Sequence, residues 1–537
     1  MPNTLEENVN RVKAAKTAIA NAITAKGGTV SSGDGLEDFA SDIASIPSGG
    51  GSSVEKKDVN FYDYDGTIVN SYTAAEFANL STFPENPSHE GLTAQGWNWD
   101  TLANAKAYVA ANGKLDIGQM YASNTTDGKT YLHIRLGEGR LKPYLGLTGN
   151  SSGTSVSIDW GDGSAAESVT LDTSTVYTPH EYARDGEYVI SITVTSGTIS
   201  LNSTSSSTDL FRKSSSASAN NDKVYANILT KAELGTKVTS IGNSAFTGCS
   251  SLASVTIPST VTSIGNYAFN YCYSLSSITI PSSVISIGIN AFNSCYSLSS
   301  ITIPSTVTSI STSTFQNCFS LTSVIISSTV TSIGQSAFTS CSSLTSVTIP
   351  SSVASIGSSA FSGCSALTSV TIPSSITSIS TSTFQNCSSL TSVIIPSTVT
   401  SIGSSTFLGC YSLASVTIPS TITSIGSSAF SDCSSLASVT IPSTVTSIST
   451  STFQNCSALT SITIPSTVTS IGSSVFSGAR GLGFIKFEPT SPPSAGSTNT
   501  WSNVPTDCII YVPTGSLSAY TSANNYPSSS TYTYVEY

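Results

Sequence analysis

From Val238 to Gly478 apolar and polar positions recur with a fixed period of 23 residues. A clean copy, SIGSSAFSGCSALTSVTIPSSIT, starts at Ser355. Leu344, Val347 and Ile349 alternate with Ser346 and Thr348, the pattern of a short strand with one buried face. Pro350 ends that strand, because proline cannot donate to a ladder. Val353, Ile356, Ala360, Phe361 and Cys364 then turn inward. Nine of ten positions equivalent to Pro350 are proline, the exception being Ser327. Ten cysteines, Cys249 to Cys456, and eleven phenylalanines, Phe246 to Phe476, keep the same beat. Such a period predicts a solenoid whose coils bury their apolar sides only against neighbours. Coils about 4.8 Å apart give a stack of roughly 50 Å, with the phenylalanines as an internal spine.

The run Ile-Gly-x-x-Ala-Phe-x-x-Cys-x-x-Leu-x-x-Val-x-Ile-Pro, Ile356 to Pro373, resembles the BspA-type leucine-rich repeats of treponemal and gut bacterial surface proteins. The resemblance implies a leucine-rich-repeat fold. For function it implies only adhesion or recognition in general.

Ahead of the repeats the patterning changes several times. Leu5, Val9, Val12, Ile19 and Ile23 are spaced by threes and fours, with Lys16 interrupting the seam. Residues 4–25 read as a helix, suited to a short coiled coil and so to a homo-oligomer such as a trimer, or to a helix packed on its own domain. The run ITAKGGTVSSGDGLEDFASDIASIPSGG resembles a segment near the start of phage tail and baseplate-associated proteins. VNFYDYDGTIV predicts a strand, an Asp-Gly turn and a second strand. SYTAAEFANL and DTLANAKAYVAANG read as helices, and KLDIGQMYA and KTYLHIRL as strands, making a small α+β unit. FYDYDGTIVNS also resembles the first motif of haloacid-dehalogenase-type phosphatases, with Asp63 as nucleophile and Asp65 as the proton-handling group. That fold needs a much longer parallel sheet, a lysine and a later acidic pair, and only about ninety residues are available before the composition changes, so a hairpin whose turn favours Asp-Gly is the preferred reading.

VSIDWGDGS and HEYARDGEYVISITV resemble the PKD-type β-sandwich, an immunoglobulin-like spacer or protein-binding module. Asp159, Trp160, Gly161, Asp162 and Gly163 match its WGDG turn; His180, Tyr182, Gly186 and Tyr188 match its later strands. Asp159 and Asp162 could hold calcium, or bond turn amides as such carboxylates commonly do. Leu229, Ala232, Leu234 and Val238 fit the repeat frame once and read as an N-terminal cap. IIYVPTGSLSAYTSANNY resembles the family's terminating segment. The expected organisation is mainly β: a helical attachment region (1–47), a Gly/Ser linker (48–57), an α+β domain (58–148), a PKD-like sandwich (149–200), a serine-rich connection (201–228), the solenoid (229–478) and a C-terminal cap (479–537).

Charge narrows the function. The formal net charge is −11, yet between Val238 and Gly478 the only charged side chain is Asp432. A neutral array cannot bind nucleic acid through its phosphates or steer a charged partner. The cysteines lack CxxC pairs and nearby histidines, which argues against zinc, and read as buried apolar residues or as a disulfide ladder. His89, His133 and His180 stand isolated. No cofactor or metal is expected. Membrane insertion is not expected either. MPNTLEENVNRVKAAK lacks the apolar core of a signal peptide, and no anchoring tail follows the repeats, which points to release by another route such as cell lysis.

Departures from the repeat mark where recognition could sit. After the cysteines come Ser250, Tyr273, Tyr296, Phe319, Ser342, Ser365, Ser388, Tyr411, Ser434 and Ser457. Tyr273, Tyr296 and Phe319 are consecutive, with Tyr267, Tyr271, Asn270 and Asn293 close by. Rings beside amides suit sugars and protein hot spots; a ladder that only stiffens the first coils is the alternative. Ser277, Thr279, Ser300, Thr302, Ser346 and Thr348 form a hydroxyl grid on the strand face. SISTSTFQNC recurs at Ser309, Ser378 and Ser447, suggesting duplication of a three-coil block. The expected function is non-enzymatic: a phage tail-associated protein, located in the virion, whose N-terminus joins other tail proteins and whose solenoid binds a glycan or protein receptor on bacteria. A bacterial surface adhesin is the alternative, and a phosphatase a minor one.

Overall fold

The computed structural model describes residues 54–63, 68–88, 92–97, 101–123, 127–137, 140–201, 210–213 and 223–537. The expected helix at 4–25, the phage-like run, Asp65 and His89 lie outside them. No helix among the described residues is long and apolar enough to cross a membrane.

The first body is a four-stranded sheet in the order β2-β1-β4-β3. β1 (Val59–Tyr62) and β2 (Ile68–Tyr72) form an antiparallel hairpin; β4 (Leu115–Ser123) lies parallel to β1 and β3 (Leu92–Trp97) antiparallel to β4. Thr73 caps helix α1 (Ala74–Ala78): its hydroxyl accepts from Glu76 N–H while the Glu76 carboxylate accepts from Thr73 N–H. With α2 (Leu102–Asn112), the sheet encloses Phe61, Phe77, Trp97 and Ile117. Asp63 is buried just beyond β1.

The next two sheets depart from the expected boundaries. One runs β8-β7-β10-β5 and then continues through β13, β15 and β17. Its strands are β5 (Thr130–Leu136), β7 (Thr154–Asp159), β8 (Glu167–Leu171), β10 (Gly186–Ser196), β13 (Leu229–Glu233), β15 (Ser254–Thr256) and β17 (Ser277–Ile278). The other runs β12-β6-β11-β14-β16-β18, with β9 also on β6. Here β6 is Tyr144–Gly149, β9 Val176–Pro179, β11 Ile199–Leu201, β12 Phe211–Arg212, β14 Val238–Ile241, β16 Ser263–Ile264 and β18 Ser286–Ile287. β5 and β6, placed by sequence in the α+β unit, thus belong here. β5 buries Leu132, Ile134 and Leu136 and aligns Leu132 with Ile190 on β10. β12, within the serine-rich connection, carries the fully buried Phe211.

Both sheets run unbroken into the solenoid. β13 pairs with β5 and β15; β14 pairs with β11 and β16. The copy starting at Leu229, expected to cap the stack, is therefore itself covered, and the two-sheet body is the N-terminal cap. One continuous apolar core runs from Leu132 to Tyr520.

Successive coils pair in parallel at the 23-residue offset, as Ile333 with Ile356 and Val393 with Val416. We number the coils 1–10 by their cysteines, Cys249 to Cys456. The phenylalanine rings stack at 5.1–6.3 Å from Phe246 to Phe476. Trp501 closes the spine at 5.5 Å from Phe476. Hydroxyls join the coils too: Ser352 Oγ donates to Val330 O at 2.7 Å and Thr398 Oγ1 to Ile376 O at 2.8 Å. The serine and threonine richness is thus partly structural.

The cysteines are free, buried thiols. Phe338 O accepts from Cys341 N–H at 3.2 Å and from the Cys364 thiol of the next coil at 3.3 Å. A small apolar side chain with one weak donor fills the space and satisfies the carbonyl's second lone pair. Burial pushes the Cys364 thiol up to about 12.

The glycine after each Ser-Ile step faces the preceding coil; a Cβ at Gly357 would lie 2.5 Å from Gln335 N. The three SISTSTFQNC coils carry serine there. Ser311 Oγ donates to Ile287 O at 2.7 Å, the type of carbonyl that elsewhere receives the glycine N–H, as in Gly288 to Ile264. Each such serine has a buried threonine partner, as Thr314 Oγ1 donating to Ser311 O.

Candidate functional site

Each coil returns from its second strand to its first through an arc containing the Phe and Cys positions. The arc needs two residues of left-handed backbone, supplied mostly by Ser, Asn or Gly. Coil 2 supplies tyrosines instead: Tyr267 at φ 57° and Tyr271 at φ 62°. A bulky residue there is strained by steric contact between Cβ and the backbone.

The rings after the cysteines form a row on the outer surface. Tyr273 and Tyr296 stack at 4.6 Å and 18°; Tyr296 and Phe319 follow at 4.9 Å and 31°. Tyr271 meets Tyr273 edge-on at 6.1 Å. Tyr267, Tyr271, Tyr273, Tyr296 and Phe319 are each 36–42% exposed, so the rings are not interior packing. Burial, with Tyr296 and Tyr271 adding to it, raises the Tyr273 hydroxyl above its ordinary value.

The other sequence candidates fare differently. Tyr411 is exposed but has Ser388 and Ser434 as its column neighbours, so it stands apart from the row. Asn270 is buried at 6% exposure. Asn293 is held within its own coil: its Nδ2 donates to Asn290 Oδ1 at 3.2 Å and its Oδ1 accepts from Ser294 Oγ at 3.0 Å. Asn270 is buried and Asn293 half-buried, which residue type alone did not reveal. Ile285 and Ile289 were missed. Both are exposed, and Tyr267 N–H donates to Ile289 O at 2.9 Å. Their signal was available: they stand where other copies carry Thr, Asn, Gln, Ser or, once, Ala.

The hydroxyl grid is partly covered. β4 of the α+β body lies against coils 3 and 4, where a Cβ on Gly118 would meet Thr302 Oγ1 at 2.5 Å and Ile325 Cδ1 at 2.9 Å. Ser300 is buried there, and Ile325 is 4% exposed. Ile394, three coils on at the same repeat position, is 63% exposed.

The WGDG turn is built for packing. Asp159 Oδ1 accepts from Gly161 N–H and Asp162 Oδ1 from Ser164 N–H, both at 3.0 Å. His180 stacks on buried Trp160 at 4.6 Å and bonds Asp162 Oδ2 at 2.8 Å. Hydrogen bonds from Ser164 and then His180 hold the Asp162 carboxyl down at about 2. His133 faces Glu233 at 3.4 Å. Among the described residues no three His, Cys, Asp or Glu side chains come together.

The chain is 28% identical to a leucine-rich repeat protein from Bacteroides ovatus, covering 58% of this chain and 85% of that one, with a TM-score of 0.47. A leucine-rich cell surface protein from Faecalibacterium prausnitzii is 32% identical, with coverages of 56% and 82% and a TM-score of 0.40. A leucine-rich repeat protein of Treponema pallidum is 29% identical, with coverages of 34% and 77% and a TM-score of 0.25. A search of curated proteins found no match. The profile of the BspA type leucine-rich repeat region matches residues 218–342, 262–391, 308–437 and 379–492. These stretches together span just over half of the 537 residues, and the chain belongs to the BspA-type leucine-rich repeat family.

Proposed function

We propose that this is a non-enzymatic binding protein of the cell exterior, a BspA-like surface adhesin, whose solenoid engages a glycan or protein receptor through the ring row on coils 2–4. The observation that carries the reading is the exposed row of Tyr273, Tyr296 and Phe319, flanked by two tyrosines held in left-handed backbone. Strain of that kind persists where surrounding structure enforces it, and clusters at functional sites. Membership of a family associated with adhesion and the resemblance to a cell surface protein support the location. The PKD-type resemblance fits a body that covers the first coil and spaces the solenoid. The phage tail reading, with virion location and N-terminal attachment to tail proteins, rests on residues outside those described, and the comparisons lend it no support.

Two measurements test this. Antibodies against the chain should label intact producing cells; recovery of the chain only in purified phage particles would favour the virion. Binding of the labelled full chain to a panel of whole cells should fall at least tenfold when Tyr273, Tyr296 and Phe319 are changed to alanine together. Unchanged binding would remove the row as the receptor face.

A further inference from the structure

The column that contains the ring row begins before coil 1. Asn227 lies one period ahead of Ser250, which lies one period ahead of Tyr273. Ser250 Oγ donates to Asn227 Oδ1 at 2.7 Å, so the column is continuous. At its head is an open cleft of about 640 Å³. Arg135 and Arg140 line it together with Asn227, Thr230, Ser251 and Ser274. Ser274 directly follows Tyr273, so the cleft leads into the row. Arg135 Nε donates to Glu187 Oε1 at 2.9 Å. Among the described residues Arg140 has no carboxylate partner. Glu187 offsets Arg135, so among the described residues lining the cleft Arg140 carries the one guanidinium without a carboxylate partner, and the only charge between Val238 and Gly478, Asp432, lies far along the stack at coil 9.

We propose that this cleft binds a carboxylate of an acidic oligosaccharide, with Arg140 as its principal ligand and the following sugars laid along the ring row. The proposal rests on the reading of the row as the receptor face. Arginine presents a planar fork matched to a carboxylate, and partial burial strengthens the pair. The rest of the lining offers the hydroxyls of Thr230, Ser251 and Ser274 and the amide of Asn227, the partners that sugar hydroxyls need. Tyr273 and Tyr296 turn their faces to each other, which leaves ring edges and phenolic hydroxyls outward rather than a deep apolar pocket for a peptide anchor. A peptide also finds no strand edge to extend, because β5 is bonded on both sides, by β10 and β13. Four column steps from Asn227 to Phe319 span roughly 20 Å at about 4.8 Å each, room for a short oligosaccharide.

Calorimetric titration of the full chain with oligogalacturonate and with oligosialic acid tests the proposal and separates the two carboxylate sources. Each is run beside its methyl-esterified form and beside a glutamate-rich peptide. At least one acidic sugar should bind, more weakly as salt rises, and at least tenfold better than its ester or the peptide. Arg140→Gln should lose tenfold or more, and Arg140→Lys should fall between. The proposal is overturned if neither acid binds, if ester or peptide binds equally well, or if Arg140→Gln binds as the parent does. Cell binding that survives Arg140→Gln but is lost with Tyr273→Ala would overturn the acidic-sugar proposal and leave the ring row standing. Insensitivity to both changes would remove the row as well.

Discussion

Tyr267 and Tyr271 set local conformational preference against a surface role. At φ near 60° a glycine removes the contact of Cβ with the backbone, and an asparagine offsets it by hydrogen-bonding locally, worth about 1 kcal/mol per position. Tyr267→Asn with Tyr271→Gly should therefore raise the melting temperature while weakening receptor binding. A fall in melting temperature would show that the rings stabilise the coil by more than their backbone strain costs. Asp162 gives a second residue-scale prediction. Its carboxyl is held at about 2 when folded, below the ordinary value near 4. A depressed carboxyl contributes stability above its unfolded pKa and loses it as pH falls toward the folded one. Stability of the parent should thus drop from about pH 4 to pH 2 more steeply than that of Asp162→Asn, read by thermal melts across that window. Parallel curves would show that the bonds from Ser164 and His180 add nothing.

At the scale of elements, Gly118 decides whether the α+β body can lie on the strand face. Any Cβ there collides with Thr302 and Ile325, so Gly118→Val should lift β4 away from coils 3 and 4 without unfolding either part. Hydrogen exchange should then rise at Ser300–Thr302 and Ser323–Ile325 and stay unchanged at Ser392–Ile394, whose outer face is already open. Exchange at Ser300–Thr302 and Ser323–Ile325 that stays as slow in the variant as in the parent would sink this account. The same contact shows what the sequence could reveal. The coil was legible because one environment recurs ten times, so Phe, Cys and Pro repeat with it. α1 was legible from Thr73 and Glu76, a local signal. The membership of β5 was not, since alternation says that one face is buried but not against what. Its partner β13 lies some hundred residues away, with Thr230 Oγ1 reaching His133 O. Of the candidate site, the rings and their exposure were legible as breaks in the repeat. The burial of Asn270 was not, because it depends on which way the arc turns.

For the whole molecule, a stack of coils has two open ends, and each exposes apolar surface and unpaired strand edges. At the C-terminal end Trp501 covers Phe476, and strands at Phe484–Phe487, Ile509–Val512 and Thr533–Glu536 extend the sheet while Tyr520 and Tyr526 close over Phe487. At the N-terminal end the covering is done by a body without the 23-residue repeat, whose sheets meet the first coil strand for strand at β5–β13 and β11–β14. The neutral surface of the coils supplies no like-charge repulsion to keep exposed ends apart. A chain reduced to residues 223–537 should therefore self-associate through β13 and β14, growing with concentration in light scattering beyond what the full chain shows. Restoring residues 127–222 should reverse this, whereas adding charges far from the end, at Ser457, should not. A reduced chain that stays as dispersed as the full one would show that coil 1 needs no cover, and the two-sheet body would then be a spacer only.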